Sequence, residues 1–149
     1  MAGLYVDMSA LGRILLAEAD ASAIAKALAS YEEQWSSELV TVELGRLGKV
    51  YGLQADAQQL LANLRLVRIT TPRLRSAAAI EPTEVRTLDA IHLGAATALH
   101  KSGTVSAVLT FDGHLQAGCQ HHGNPRRGAS GLTKLSNLPS NIERIARRR

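Results

Sequence analysis

Aromatic residues, cysteine and long apolar runs are all scarce in this chain of 149 residues. Aromatic side chains make up 3% of the sequence, so a core must rest on leucine, valine, isoleucine and the many alanines. Cys119 is the single cysteine, which excludes an internal disulfide and is typical of a reducing compartment. No apolar run is long enough to span a bilayer, and no basic segment precedes an apolar run at the N-terminus. We therefore expect a cytoplasmic protein that does not bind a membrane.

The excess of positive charge, formally +4, lies near the end of the chain. Residues 1–123 contain 10 Lys+Arg and 12 Asp+Glu, a net charge of −2, whereas residues 124–149 contain 7 Lys+Arg and one acid, Glu143. The basic isoelectric point is therefore poor evidence that the body of the protein binds nucleic acid. We interpret 1–123 as one domain and 124–149 as a basic C-terminal tail of uncertain order.

Short apolar runs of strand character alternate with stretches of helical period along the chain. Strands are predicted at residues 4–6, 35–37, 66–70 and 107–111. Helices are predicted at 8–16, from Asp20 and Ser22 onward, at 39–51, 56–64, from Pro72 onward, at 87–100 and at 113–120. This alternation predicts an α/β fold in which helices cover both faces of a central parallel sheet, a three-layer α/β/α sandwich.

Two of the predicted helices have a marked apolar pattern. The expected buried stripes are Leu39, Val42, Leu47 and Val50 in one, and Leu88, Ile91, Ala95 and Leu99 in the other. Glu43 lies within the first stripe, where a carboxylate needs a partner or a metal because unpaired burial is costly. Arg46 offers an ion pair one turn later as a structural explanation. Thr87 is the predicted N-cap of the second helix.

Four acids lie where a parallel sheet forms its ligand sites. Asp7 and Asp112 follow predicted strands, Asp89 lies in the first turn of its helix, and Glu43 lies inside another helix. Strand ends and helix starts meet at the carboxyl edge of such a sheet, and carboxylates there form an oxygen-rich pocket suited to Mg²⁺ or Mn²⁺. Taken singly, Asp7 and Asp112 are also ordinary helix caps, and Asp89 an ordinary first-turn acid.

Considered together, the segments that carry these acids resemble the PIN domain family. Residues 5–11, Tyr-Val-Asp-Met-Ser-Ala-Leu, resemble the family's opening motif, and residues 37–44 resemble the segment with its second acid. Residues 86–93, Arg-Thr-Leu-Asp-Ala-Ile-His-Leu, closely match the third motif, which is the most specific, and Leu-Thr-Phe-Asp at 109–112 matches the fourth. The resemblance covers about residues 4–123.

The resemblance implies a metal-dependent ribonuclease, and more specifically a toxin of the VapC type from a type II toxin–antitoxin system. Asp7, Glu43, Asp89 and Asp112 would be both the catalytic residues and the ligands of Mg²⁺ or Mn²⁺. The family implies structured RNA, such as tRNA or ribosomal RNA, as the substrate. It also implies a VapB-like antitoxin that blocks the site, and a homodimer.

Two alternatives to a ribonuclease remain open from the sequence. Met8 replaces the small polar residue that the family usually has at this position, which leaves a PIN-like module that binds RNA or protein with weak or no catalysis. A receiver domain would need paired acids near the first strand and a lysine late in the fold. Asp7 stands alone and no lysine follows a late strand, so the receiver ranks well below the ribonuclease.

Other polar residues near the motifs are given lesser roles by the sequence. His92 is expected to pack beside the site. Arg13, Arg46 and Arg86, together with the tail, are expected to bind RNA phosphates, because an acidic site repels RNA. The adjacent His121 and His122 do not face the same way on a helix, so they are not interpreted as a metal pair.

Overall fold

Five parallel strands form a single sheet in the computed structural model, which describes residues 3–112, Leu115 and the backbone of residues 126–127. The strands are β1 (Gly3–Val6), β2 (Gln34–Ser37), β3 (Arg65–Val67), β4 (Val105–Leu109) and β5 (Arg126–Arg127), in the order β3-β2-β1-β4-β5. The helices are α1 (Met8–Leu15), α2 (Ala21–Ala29), α3 (Leu39–Tyr51), α4 (Gln54–Ala62), α5 (Thr71–Ala78) and α6 (Thr87–Lys101). The predicted alternation of strands and helices is confirmed for residues 3–112, whereas β5 was not predicted.

The central strand β1 supplies side chains to both faces of the sheet. Leu4 and Val6 are buried in a cluster with residues of α1, α2, α3 and α4. Tyr5 points to the opposite face, where it is buried in a second cluster with Leu93 and Ala96 of α6. This alternation is the period of two that a strand imposes on its side chains. The α/β/α architecture with a parallel sheet is therefore confirmed.

Local sequence signals explain where two helices begin and end. Asp7 is the N-cap of α1 and accepts a hydrogen bond from the backbone N–H of Ala10. Gly52 follows α3 with a φ of 67°, the left-handed conformation that glycine adopts at little cost. Gly48 lets α3 and α4 approach closely, since a Cβ there would lie 2.9 Å from the Cβ of Ala57.

The predicted buried stripe of α3 is wrong in phase. Val42 and Val50 are 58% and 74% exposed, respectively. The residues of α3 that are buried are Val40, Leu44 and Gly48. The face of α3 toward the core thus includes a glycine, Gly48. The hydrophobic pattern of the sequence favours the face with Val42 and Val50 instead, which is exposed.

The stripe predicted for α6 is also wrong. Leu88 is 51% exposed, and of the four predicted residues only Ala95 is buried. The buried residues of α6 are Ala90, His92, Leu93, Ala95, Ala96 and Thr97. Arg86 rather than Thr87 is the N-cap residue, and its side chain makes no capping hydrogen bond.

Several predictions concern residues beyond those described. The helix expected at 113–120, Cys119, the His121–His122 pair and most of the tail at 124–149 lie outside the described residues. Within that tail, Arg126 and Arg127 form β5, which pairs with Val108 and Leu109 of β4. The boundary placed after residue 123 stays a prediction. Among the described helices, none combines the length and apolar character that crossing a membrane requires.

Candidate active site

One cavity of about 570 Å³ opens beside the ends of β1 and β4 and the start of α6. All four predicted acids line it: Asp7, Glu43, Asp89 and Asp112. Two of them follow strands β1 and β4, which are neighbours in the sheet, and the others come from α3 and α6. The structure therefore brings together side chains that are as much as 105 residues apart in sequence, as the carboxyl edge of a parallel sheet allows.

Asp7 is the most deeply placed of the four acids, with 4% of its surface exposed. Ser9 donates a 2.6 Å hydrogen bond to Oδ1, and Thr110 donates a 2.7 Å hydrogen bond to Oδ2. Burial raises the pKa of Asp7 above its ordinary value, and the two hydroxyl donors oppose this effect by stabilising the carboxylate. Asp7 is thus both a helix cap and a wall of the cavity.

The same two hydroxyls also tie the start of α1 to the segment after β4. The Oγ of Ser9 accepts a 2.8 Å hydrogen bond from the backbone N–H of Phe111. The Oγ1 of Thr110 accepts a 3.1 Å hydrogen bond from the backbone N–H of Asp112. Met8 lines the cavity with its thioether side chain, so the hydroxyl at this end of α1 comes from position 9 rather than position 8.

Arg86 bridges two acids from outside the sheet. Its Nε lies 3.1 Å from Oδ2 of Asp89, and its Nη2 lies 2.8 Å from Oδ2 of Asp112. The hydrogen bond and charge of Asp89, followed by the charge of Asp112, raise the pKa of Arg86 above its ordinary value. The other oxygen of Asp112 accepts a 3.0 Å hydrogen bond from the backbone N–H of Leu115.

Glu43 is held by a histidine rather than by the predicted arginine. Nε2 of His92 lies 2.7 Å from Oε1 of Glu43, and Nδ1 of His92 lies 2.8 Å from the hydroxyl of Tyr5. Arg46 is exposed on the same helix as Glu43, and no ion pair joins the two within the part of the chain that the structure describes. The sequence left His92 either facing the site or packed beside it and favoured packing; the structure shows both, since His92 packs against Tyr5 and also lines the cavity.

His92 is the functional candidate that the sequence interpretation undervalued. It follows Asp89 by three residues on α6, and residues at this spacing share a helix face. Both side chains line the cavity. The i, i+3 relationship to a predicted site acid was therefore a usable signal for His92.

Of the three arginines expected to bind phosphate, only Arg86 lines the cavity. Arg13 instead pairs with Asp20 at 3.0 Å and with Glu18 at 3.4 Å, and its guanidinium lies 4.6 Å from the ring centre of Phe111. The charge of Arg13 is thus already engaged by acids outside the site.

The four acids do not form a closed ligand cage. Across residues 3–112 and Leu115, no three His, Cys, Asp or Glu side chains are grouped closely enough to hold a metal ion as they stand. Each acid instead bonds to a protein donor: hydroxyls at Asp7, His92 at Glu43, and Arg86 at Asp89 and Asp112.

Comparison with known families agrees with the motifs and the fold. A family model of the PIN domain matches residues 4–118, a range that includes all four acids of the cavity. The chain belongs to the PIN domain family. This PIN domain is 33% identical over 127 residues to Ribonuclease VapC47 of Mycobacterium tuberculosis, an alignment that covers 80% of this chain and 92% of the relative.

Other curated relatives of the PIN domain come from the same organism. Ribonuclease VapC46 is 32% identical over 118 residues, which are 78% of this chain and 89% of the relative. Ribonuclease VapC35 is also 32% identical over 118 residues, covering 76% of this chain and 87% of the relative. No solved structure matches the chain significantly.

Proposed function

We propose that this PIN domain is a ribonuclease that hydrolyses RNA phosphodiester bonds with Mg²⁺ or Mn²⁺. The observation that carries the proposal is the convergence of Asp7, Glu43, Asp89 and Asp112 on one cavity at the carboxyl edge of the sheet. The similar proteins VapC47, VapC46 and VapC35 are all named ribonucleases, which supports the same reaction.

The donor chemistry of the cavity fits a hard divalent cation. Carboxylate oxygens are the ligands that Mg²⁺ and Mn²⁺ prefer, and Mg²⁺ usually keeps several waters while one or two carboxylates bind it. A closed cage of three protein ligands is therefore not required. Asp7, Glu43, Asp89 and Asp112 would hold the ion directly or through water. When bound, the ion would polarise the phosphoryl group and stabilise the leaving oxygen.

Arg86 would bind the RNA backbone at this site. It is the only lysine or arginine among the described residues that line the cavity, and its side chain is 63% exposed. A guanidinium can donate two parallel hydrogen bonds to phosphate oxygens. Because the carboxylates repel RNA, a cation beside them lowers the cost of bringing the phosphate into the cleft.

The hydroxyl of Ser9, which lines the cavity, has a structural role that disfavours covalent catalysis by this residue. Ser9 donates to Asp7 and accepts from Phe111, so its oxygen is already bonded on both sides. Hydrolysis by an activated water needs no protein nucleophile. The same contacts weaken the case for an inactive module, because Asp7 has its hydroxyl donors although position 8 is methionine.

Cleavage of purified tRNA and ribosomal RNA tests the proposal directly. We expect cleavage with Mg²⁺ or Mn²⁺, none with EDTA, and none from the Asp89→Asn variant. Glu84→Gln is the matched control, since Glu84 is exposed and does not line the cavity. Cleavage that persists in EDTA or in Asp89→Asn would contradict the metal-dependent mechanism.

The biological setting that we propose is a toxin–antitoxin pair. The chain would be the toxin, a VapB-like antitoxin would cover the cleft, and the toxin would form a homodimer. Expression of the chain alone should arrest growth of the host, and co-expression of the neighbouring antitoxin gene should restore it. Asp89→Asn should remove the arrest without the antitoxin. Sedimentation of the purified chain would establish whether it is a dimer.

A further inference from the structure

Three side chains form a hydrogen-bonded network from the core to the cavity that the four acids line. The hydroxyl of Tyr5 lies 2.8 Å from Nδ1 of His92, and Nε2 of His92 lies 2.7 Å from Oε1 of Glu43. The partners are 87 and 49 residues apart in sequence and belong to β1, α6 and α3. This network exists only in the folded protein, because three separate elements must pack together to form it.

The first two residues of the network, Tyr5 and His92, are fixed in the core. Tyr5 has no exposed surface and His92 is 2% exposed. Their rings pack edge to face, with centroids 6.0 Å apart and an interplanar angle of 75°. Glu43 differs, since it borders the cavity and its side chain is 20% exposed. The network thus connects two buried rings to Glu43, the one site acid that lies in the interior of a helix.

The chemistry of the three groups orders the hydrogen bonds. A carboxylate only accepts, so Nε2 of His92 must carry the proton that it shares with Glu43. In neutral imidazole this leaves Nδ1 as the acceptor for the hydroxyl of Tyr5. Glu43 thus selects Nε2 of His92 as the donor, and the hydroxyl of Tyr5, by donating to Nδ1, supports the same tautomer and fixes the ring that bonds Oε1 of Glu43.

We propose that Tyr5 and His92 are positioning residues that hold Glu43 in the orientation in which it binds the divalent cation. The inference rests on the proposed function and adds two residues to it. A glutamate side chain has several rotatable bonds, and a bond from a buried ring restricts them. Partners of this kind, which orient a ligating carboxylate, typically change metal affinity 10- to 100-fold when they are removed.

Two substitutions of His92 separate positioning from packing. His92→Leu and His92→Gln both remove the ring that packs on Tyr5, but only glutamine keeps an N–H donor for Glu43. A packing role predicts the same metal affinity for both variants. A positioning role predicts that Mn²⁺ binds about 10- to 100-fold more weakly to His92→Leu, and that His92→Gln recovers most of the loss.

Isothermal titration with Mn²⁺ alone, without RNA, gives the decisive readout on the full chain. Glu43→Gln should weaken Mn²⁺ binding as much as His92→Leu, and the double variant should bind no more weakly than Glu43→Gln. Tyr5→Phe should weaken binding severalfold in the parent and have no effect when His92 is leucine. Nitrogen-15 spectra should show the proton on Nε2 of His92.

Each result either supports or overturns the positioning role. Equal Mn²⁺ affinity in the leucine and glutamine variants, an unchanged affinity in His92→Leu, or a proton on Nδ1 alone would overturn it. A parent that binds Mn²⁺ but cleaves no RNA would contradict the proposed function and leave the positioning role intact. A parent that binds no Mn²⁺ would contradict both.

Discussion

Arg86 donates a 2.8 Å hydrogen bond to Asp112, a residue 26 positions away in sequence. Asp112 follows β4, the strand beside the central strand β1. The same guanidinium bonds Asp89 through Nε. One guanidinium is therefore bonded to Oδ2 of both Asp89 and Asp112, two of the proposed metal ligands. If the proposed ion binds there, Arg86 would compete with it at Asp89 and Asp112, and the two cations would cooperate only when the arginine turns toward the RNA.

Substitution of Arg86 should accordingly split metal binding from activity. We expect Arg86→Gln to bind Mn²⁺ severalfold more tightly in titrations without RNA, because a competing positive charge is gone. RNA cleavage at saturating Mn²⁺ should fall, with a higher KM, because a phosphate contact is lost. Arg13→Gln, whose charge is paired outside the cavity, should change neither quantity. Weaker Mn²⁺ binding by Arg86→Gln would mean that the arginine organises the site.

Asp89 offers a test that joins activity to stability. Asp89→Asn should abolish RNA cleavage and leave the melting temperature in EDTA nearly unchanged, since the lost pairing with Arg86 is at the surface. Metal bound only to the folded state should stabilise the parent by about 2.7 kcal/mol at a hundredfold excess over Kd, and the variant by less. If Asp89 only complements the helix dipole, the variant should instead lose up to about 1 kcal/mol and keep its activity and metal response.

The raised pKa of Asp7 predicts a specific dependence on pH in the metal-free protein. Burial makes the folded state bind the proton of Asp7 more tightly than the unfolded state does. The contribution of Asp7 to folding therefore improves as pH falls through its folded pKa toward the unfolded value of about 3.9. Urea unfolding in EDTA should show that the stability of Asp7→Asn relative to the parent is greatest at neutral pH and declines on acidification. A difference that is independent of pH would argue against the raised pKa.

Substitution should be costly at position 9 and nearly neutral at position 8. Ser9→Ala removes a donor to Asp7 and leaves the backbone N–H of Phe111 without its acceptor, so the protein should lose about 1–3 kcal/mol of stability. Met8→Thr, which restores the residue type usual in the family, should leave RNA cleavage close to that of the parent. Denaturant titration and cleavage assays measure both. A marked gain of activity in Met8→Thr would show that methionine impairs the site.

Truncation measures how much the C-terminal segment contributes to the fold. A chain that ends after Gly123 lacks β5, so Val108 and Leu109 lose their pairing partners at that edge of the sheet. We expect it to melt lower than a chain that ends after Gly128, which should match the parent. Removal of residues 129–149 should reduce the salt dependence of RNA binding if the tail contacts phosphates. Equal melting of the two truncated chains would show that β5 adds nothing.

The order of the elements from β1 to β4 and the convergence of the acids could be predicted, because they follow from period, turn residues and the geometry of parallel sheets. Strand β5 was not predicted, because its two residues carry no apolar pattern. The buried faces of α3 and α6 could not. In α3 the core contact includes Gly48, which packs on Ala57 and carries no hydrophobic signal, whereas Val42 and Val50 carry a strong one and face solvent. In α6 small side chains such as Ala90 define the face.

Contacts between distant residues were also beyond the sequence. The donors to Asp7 include Thr110, 103 residues away, and the partner of Glu43 is His92 rather than the nearby Arg46. Sequence spacing gives a distance only between residues of the same helix. A sequence analysis therefore favours nearby partners such as Arg46 over distant ones such as His92. Distant partners meet because the sheet forms, since it places β1 beside β4.

That pairing has a consequence for the newly made protein. Translation produces Asp7 more than a hundred residues before Asp112. Strand β1 needs β4 as one of its two neighbours in the sheet. A nascent chain that stops short of β4 leaves β1 with an open edge and Asp7 without Thr110. Fragments that end before β4 therefore lack Asp112 and the wall of the cavity beside it, so the four acids line one cavity only after β4 has been made.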